Sequence, residues 1–228
     1  MGSIGCATSP GAPTPGDGDG DGDGDGDGDG DGDGACLEPC DGIADGFASC
    51  VVDFSPAQST ADAPGFNHDM MPDVILGPPR QGFDVVSLGC GGSVTLGFAG
   101  DGIENGDGPD FIIFENAFAL GFPEPVRVEV SEDGCEWSAF PCDAANSLDG
   151  CGGKTPVEAA EGNDVDPHDP AVAGGDAFDL ESVGLDRARF VRLVDVSHDY
   201  WSAMGMDYCD PGQQGKGGAD VDAVAIAR

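Results

Sequence analysis

The sequence predicts an all-β protein, an antiparallel jelly-roll β-sandwich with long Gly/Pro/Asp-rich loops. Three observations carry this expectation. Apolar segments are short and separated by turn-forming residues. Glycine (40) and proline (17) are abundant, which suits turns better than long helices. No window sustains a 3.6-residue apolar period.

The elements follow in chain order. Val51–Phe54, Asp73–Leu76, Phe83–Leu88 and Ser93–Phe98 fit short strands. Asp110–Glu115 contains the run Phe111-Ile-Ile-Phe114, of the kind buried on both faces of a sheet. Val126–Val130 alternates apolar and polar residues, the mark of a half-buried strand. Ser131–Gly134 supplies a turn and Glu136–Phe140 returns, which makes a hairpin. Residues 141–176 form a long loop, followed by one helical turn over Phe178–Val183. Arg187–Asp195 and Val221–Ala227 complete the strands. Such a set of short strands argues a sandwich.

Residues 1–35 separate from this domain as a tail, leaving 36–228 for the sandwich. Residues 17–34 alternate Asp and Gly throughout. Glycine maximises chain entropy and the aspartates repel, so this stretch does not fold alone and fits a flexible stalk. A calcium-binding β-helix repeat would need stacked apolar positions, which are absent from it. Met1-Gly-Ser-Ile-Gly-Cys6 resembles the end of a bacterial lipoprotein signal, with Cys6 as the lipid attachment site. The basic and apolar stretches that precede such a cysteine are not in this sequence. The other reading of Cys6 is an ordinary cysteine in a polar tail.

Lys and Arg total 8 against 44 Asp and Glu, a net charge of -36. That excludes nucleic acid, which needs a basic footprint, and argues against anionic membrane surfaces. All basic residues lie beyond the Asp-Gly stretch, yet the folded part stays strongly acidic. No apolar run is long enough for a transmembrane helix. Setting Cys6 aside leaves eight of the nine cysteines, scattered and without a CxxC pair. Disulfides in an oxidising compartment fit better than zinc. Spacing alone does not fix the connectivity. Local bridges are expected from Cys36 to Cys40 or Cys50, and from Cys142 to Cys151.

Three segments resemble discoidin-like, galactose-binding-like domains. They are Val126-Arg-Val-Glu-Val-Ser-Glu-Asp-Gly-Cys-Glu-Trp137, Ala188-Arg-Phe-Val-Arg-Leu193 and Gly92-Ser-Val-Thr-Leu-Gly-Phe98. More narrowly, five motifs are similar to those of a group of uncharacterised bacterial cell-surface proteins and lipoproteins. These are Leu76-Gly-Pro-Pro79, Val86-Ser-Leu-Gly-Cys-Gly-Gly-Ser93, Gly108-Pro-Asp-Phe-Ile-Ile-Phe-Glu-Asn116, Ala173-Gly-Gly-Asp-Ala-Phe-Asp-Leu180 and Asp220-Val-Asp-Ala-Val-Ala-Ile226. The narrower likeness covers residues 50–228 and implies secretion and a jelly-roll sandwich, with no assigned reaction. The broader one implies a binding module, often for glycans and often with a structural calcium, and it implies a core position for Trp137. The 141–176 loop departs from compact domains of that kind, so no glycan-contact residue is carried over.

Calcium takes six to eight oxygens, mostly carboxylates and carbonyls. Three groups of residues are candidates for it. Asp110, Glu115 and Asn116 bracket the apolar strand. Asp164, Asp166 and Asp169 lie in the long loop, with Asp176 and Asp179 just after. Asp220 and Asp222 open the last strand. Acids this close to a core are costly unless paired, and basic residues are too few to pair them. The competing reading makes each a turn or cap residue that accepts backbone N–H bonds. Of these, Asp110, Glu115, Asn116, Asp166, Asp176 and Asp222 are the metal-ligand expectations. Tyr200 and Trp201 are the expected aromatic platform for a sugar ring. The three histidines, His68, His168 and His198, sit in no hydrolase or metalloprotease motif. The expected function is a non-catalytic extracellular binding module, calcium-stabilised, with a glycan or other surface polymer as ligand. The alternatives are an adhesive surface protein with a protein partner, and a glycoside hydrolase using paired carboxylates.

Overall fold

In the computed structural model, the residues described are 36–57, 65–116, 122–206, 208 and 217–228. All lie in the compact unit Gly34–Arg228. Cys6 and the Asp-Gly stretch fall outside the described residues.

Two antiparallel sheets form the fold. The first runs β1 (Cys50–Ser55), β3 (Ser93–Gly97), β10 (Phe190–Asp195), β6 (Val126–Ser131) and β7 (Ser138–Ala139). The second runs β2 (Val86–Ser87), β11 (Asp220–Ile226), β5 (Phe111–Glu115) and β8 (Asp176–Phe178). A two-stranded ladder, β4 (Ile103–Glu104) with β9 (Arg187–Ala188), stands apart. Each sheet turns one face to a shared apolar core. Val94, Leu96, Val128, Val130, Val191 and Leu193 come from the first sheet; Val86, Phe111, Ile113, Val221 and Val224 come from the second. The chain is therefore an all-β sandwich, as expected from its short alternating strands.

Strand β5 is buried on both faces. Phe111 and Ile113 enter the shared core. Ile112 and Phe114 point the other way, into a second cluster with Ala223 and Ala225 of β11 and Ala159 and Ala173 of the long loop. The loop thus covers the outer face of the second sheet. Its close approach depends on small residues. A Cβ on Gly175 would meet the Ile113 carbonyl oxygen at 2.6 Å, and its φ of +68° suits glycine.

The first sheet also carries a cover. Cys36 is bonded to Cys135, Cys40 to Cys50 and Cys142 to Cys151, and Cys90 is disulfide-bonded as well. The Cys142–Cys151 bridge matches the expectation. Cys36 departs from it, because the N-terminal segment crosses the sheet and reaches the β6–β7 turn instead of closing locally. Gly97 makes room for that crossing: a Cβ there would lie 2.1 Å from Cys40 Sγ. Closing a span of about a hundred residues restricts the unfolded chain by about 4–5 kcal/mol on loop-entropy grounds.

Several expected strands take other forms. Asp73–Leu76 is instead a 3₁₀ turn at Asp73–Ile75, with Val74 and Ile75 buried. Pro72 before it and Pro78 and Pro79 after it cannot donate to a sheet ladder. Of Phe83–Leu88 only Val86–Ser87 pairs, because the Asn67 amide supplies the bonds of the Phe83 and Val85 carbonyls, at 2.6 and 2.8 Å. Arg187–Asp195 breaks at Arg189, so that β9 pairs with β4 while β10 enters the main sheet. Helix α1 (Ser197–Ala203) has no counterpart among the expected elements. At seven residues it is too short to display a helical period.

Trp137 is half-buried outside the core. Arg192 lies directly opposite both Thr95 and Glu129, and its guanidinium sits 3.7 Å from the Trp137 ring centroid. Cation–π attraction and two cross-strand bonds therefore hold this tryptophan on the sheet surface.

Both faces of β5 predict equal sensitivity. Phe114→Ala should destabilise the domain by roughly 3–5 kcal/mol, comparable with about 2–5 kcal/mol for Ile113→Ala. Denaturant titration of the two variants checks this. A loss under 1 kcal/mol at Phe114 would mean that the outer face is open to solvent.

Candidate functional site

Most of the expected metal ligands are occupied in holding backbone. Asp110 Oδ1 accepts from Gly106 N and Oδ2 from Leu180 N, both at 2.7 Å. This buried carboxylate ties the β4–β5 connection to the turn after β8. Asp222 accepts from Arg80 N and Gln81 N, each at 2.8 Å. Asn116 Nδ2 donates to the Gly82 carbonyl at 3.0 Å. Gln81 Nε2 continues outward to the carbonyls of Val157 and Ala159. A chain of side chains thus runs from β11 through residues 80–82 to the covering loop.

Asp176 accepts from Lys154 N, Thr155 N and Thr155 Oγ1. Asp166 is exposed and accepts from His168 N two residues on, an Asx turn. Asp169 and Asp179 accept in the same local way from Ala171 N and Glu181 N. The six expected ligands therefore do not converge. Among the described residues, no three Asp, Glu, His or Cys side chains come close enough to hold one ion.

Glu115 belongs to a different group. It is buried with Glu124, Asp195 and Asp220 where β5, β6, β10 and β11 end or begin. Glu115 Oε1 accepts from Asp220 N at 3.2 Å. Tyr208 donates its hydroxyl proton to Glu124, and Gly218 N donates to the same hydroxyl oxygen at 2.6 Å. Asp195 accepts from Gly91 N, Ala219 N and both donors of Ser197. None of the ion pairs among the described residues reaches this group. Ser87 lies directly opposite Asp220, and its buried hydroxyl faces that carboxyl.

Desolvation is the main effect on these carboxyls. It lifts Glu115 well above the ordinary range, with the Glu124 charge adding to it. Glu124 rises to about 7, mainly by burial, against the lowering effect of the Tyr208 hydrogen bond. Asp220 rises to about 8 by burial and by the Glu124 charge. Asp195 is also raised by burial, although its four hydrogen bonds pull the other way. Sequence reasoning placed Glu115 and Asp220 in separate groups and missed Glu124 and Asp195. Asp195 carries the signal that marked Glu115, an acid closing an apolar strand. Glu124, between two prolines, carries none.

Among the described residues, Tyr200 and Trp201 do not form an exposed platform. Trp201 is buried, stacks on Phe122 at 4.0 Å between ring centroids, and donates Nε1–H to the Pro123 carbonyl. The exposed sugar-stacking face expected of it is a packing face instead, because α1 turns it inward. Tyr200 is half-buried and stands edge-on to Trp201.

A groove of about 400 Å³ lies elsewhere, between the Cys142–Cys151 loop and the β8 segment. Phe140 and Phe178 form its apolar base, and Lys154, Thr155, Asp179 and Ser182 stand around it. Its two carboxylates, Asp176 and Asp179, belong to one stretch of chain.

No protein-family model matches this sequence. No curated protein sequence is significantly similar to it.

The buried carboxyls give a signed pH dependence. Their folded values lie above those of the unfolded chain, about 4 for Asp and Glu. The folded state therefore binds more protons, and this contribution is complete below about pH 4 and lost as pH rises through 7 to 8. In chelator, the melting temperature should fall between pH 5 and 8.5. Glu124→Gln keeps the acceptor for Tyr208 and should flatten that fall; an unchanged slope would dissociate the effect from Glu124.

Proposed function

We propose that the chain is a non-catalytic extracellular binding module whose ligand is a glycan or another surface polymer, stabilised by calcium. The observation that carries the reading is the use made of the carboxylates. Asp110, Asp176 and Asp222 each accept from two or more donors, which leaves them as fasteners of loops. A scaffold that fixes long loops on a rigid sandwich is suited to recognition. The disulfides support an oxidising, extracellular compartment. No helix among the described residues is long and apolar enough to cross a membrane. Cys6 would serve as the lipid attachment site of such a surface protein.

Calcium fits the pole formed by Glu115, Glu124 and Asp220 in its chemistry, with Asp195 beside them already taken up by four hydrogen bonds. The donor set is hard oxygen, and the carboxylates lack a described basic partner. Since no three of these carboxylates share one ion, main-chain, hydroxyl and water oxygens would complete the shell. The ion would neutralise charge there and hold the end of the sandwich together.

Two measurements test the proposal. Calcium that binds only the native state stabilises it by about 2.7 kcal/mol at a hundredfold excess over Kd. Thermal melts in millimolar calcium and in chelator should therefore differ by several degrees; identical melts would remove the ion. Incubation with a polysaccharide panel should show retention without release of new reducing ends. Sugar release would make the protein a hydrolase.

A further inference from the structure

We infer that the groove between the Cys142–Cys151 loop and the β8 segment is a carbohydrate subsite that seats one ring of a neutral glycan. This inference rests on the binding-module reading and gives it a location.

The groove differs from the other polar sites in having hydrogen-bonding capacity to spare. Lys154 is exposed and has three N–H donors, one of which reaches the Leu148 carbonyl at 3.2 Å. Asp179 accepts from Glu181 N through Oδ1, while its Oδ2 accepts from no described residue. Ser182 donates its hydroxyl to the Asp179 carbonyl at 2.7 Å, which leaves the hydroxyl oxygen as an acceptor. A donor, a carboxylate acceptor and a hydroxyl oxygen thus line one concavity. A sugar hydroxyl is both donor and acceptor, so neighbouring hydroxyls on one ring can use all three.

The apolar part matches as well. Phe140 and Phe178 pack edge to face at 4.9 Å and line the groove from the core side, each almost wholly buried. A pyranose ring has the same division, with C–H groups on its faces and hydroxyls at its rim. The volume of about 400 Å³ falls within the usual range for small-ligand sites and suits one or two rings rather than a long chain.

Rigidity and charge narrow the ligand further. One wall is closed by the Cys142–Cys151 disulfide. The other is fixed by β8 pairing with β5 and by Asp179 capping the turn Leu180–Val183. A site held in advance loses little entropy on binding. A chain with 44 acids repels polyanions, and one lysine does not reverse that field. A neutral glycan is therefore favoured over a sulfated or phosphorylated one. The site is built on the 141–176 loop, so it belongs to this chain's own elaboration of the sandwich.

The test uses the full chain and affinity electrophoresis in gels containing neutral polysaccharides (glucan, galactan, mannan and xylan) and, in parallel, a sulfated galactan and a phosphorylated mannan. Two variants alter exposed side chains of the groove. Lys154→Met removes the donor, and Ser182→Trp fills the space. Melting temperatures confirm that both fold. The expected result is retardation of the wild type by at least one polysaccharide, with affinity at least tenfold weaker in each variant. Retardation of Ser182→Trp equal to that of the wild type would overturn the groove while leaving a glycan-binding module standing. A wild type that no neutral polysaccharide retards, but that binds a sulfated or phosphorylated one, would overturn the neutral-ligand assignment. No retardation by any of them would overturn the groove and the glycan reading together.

Discussion

The burial of strand β5 on both faces sets the terms for the rest of the structure. A strand that reads Phe-Ile-Ile-Phe has no face to give to water. One side is met by the opposite sheet, as in any sandwich. The other requires a second layer, and the chain supplies it with a long segment that has almost no regular structure. Such a segment contributes few ladder hydrogen bonds and has high conformational entropy to lose. It stays in place because side chains hold its backbone. Asp222 and Asn116 secure residues 80–82, Gln81 reaches on to Val157 and Ala159, and Asp176 secures residues 154–155.

This explains why a strongly acidic composition coexists with a packed interior. A carboxylate accepts several hydrogen bonds, and backbone N–H groups that leave a sheet need acceptors. Aspartate at a strand end therefore suits a fold with many loop departures. The pole around Glu124 and Tyr208 is the exception. There several carboxyls gather without a described ion-pair partner, and their proton affinities rise accordingly. The two uses overlap at Asp195, which accepts from three backbone N–H groups and still belongs to the pole.

Apolar alternation made β6 legible in the sequence, since side-chain period and burial coincide there. Two-faced burial of β5 was legible as well, from the absence of polar residues within it. Other features were not. Asp73–Leu76 has strand-like residues, but flanking prolines deny it ladder bonds. Asp220 and Asp222 looked like one ligand pair. Positions two apart share a face of a regular strand, but β11 shifts register between Val221 and Ala223, so one reaches the buried pole and the other the 80–81 segment. Trp201 looked exposed because a seven-residue helix leaves no periodic trace. The Cys36–Cys135 bridge joins positions ninety-nine apart in sequence, and only the path of the chain over the sheet makes it close. The groove was least legible of all, since its walls meet only once β8 has paired with β5.

The Cys36–Cys135 crosslink has a mechanical consequence. Tension applied through the N-terminal tail enters the domain at Cys36 and passes through the covalent bond into the β6–β7 turn. Strand β1, which lies at the edge of its sheet, would otherwise be the first element pulled, and edge strands unzip one ladder bond at a time. With the crosslink intact, the load reaches β6, which is paired on both sides by β10 and β7. The second bridge, Cys40–Cys50, further shortens the slack between the tail and β1. A domain tethered by its N-terminus would thus resist traction by shear across several strands at once, and chemical reduction would convert it from a stiff anchor into one that peels from its edge.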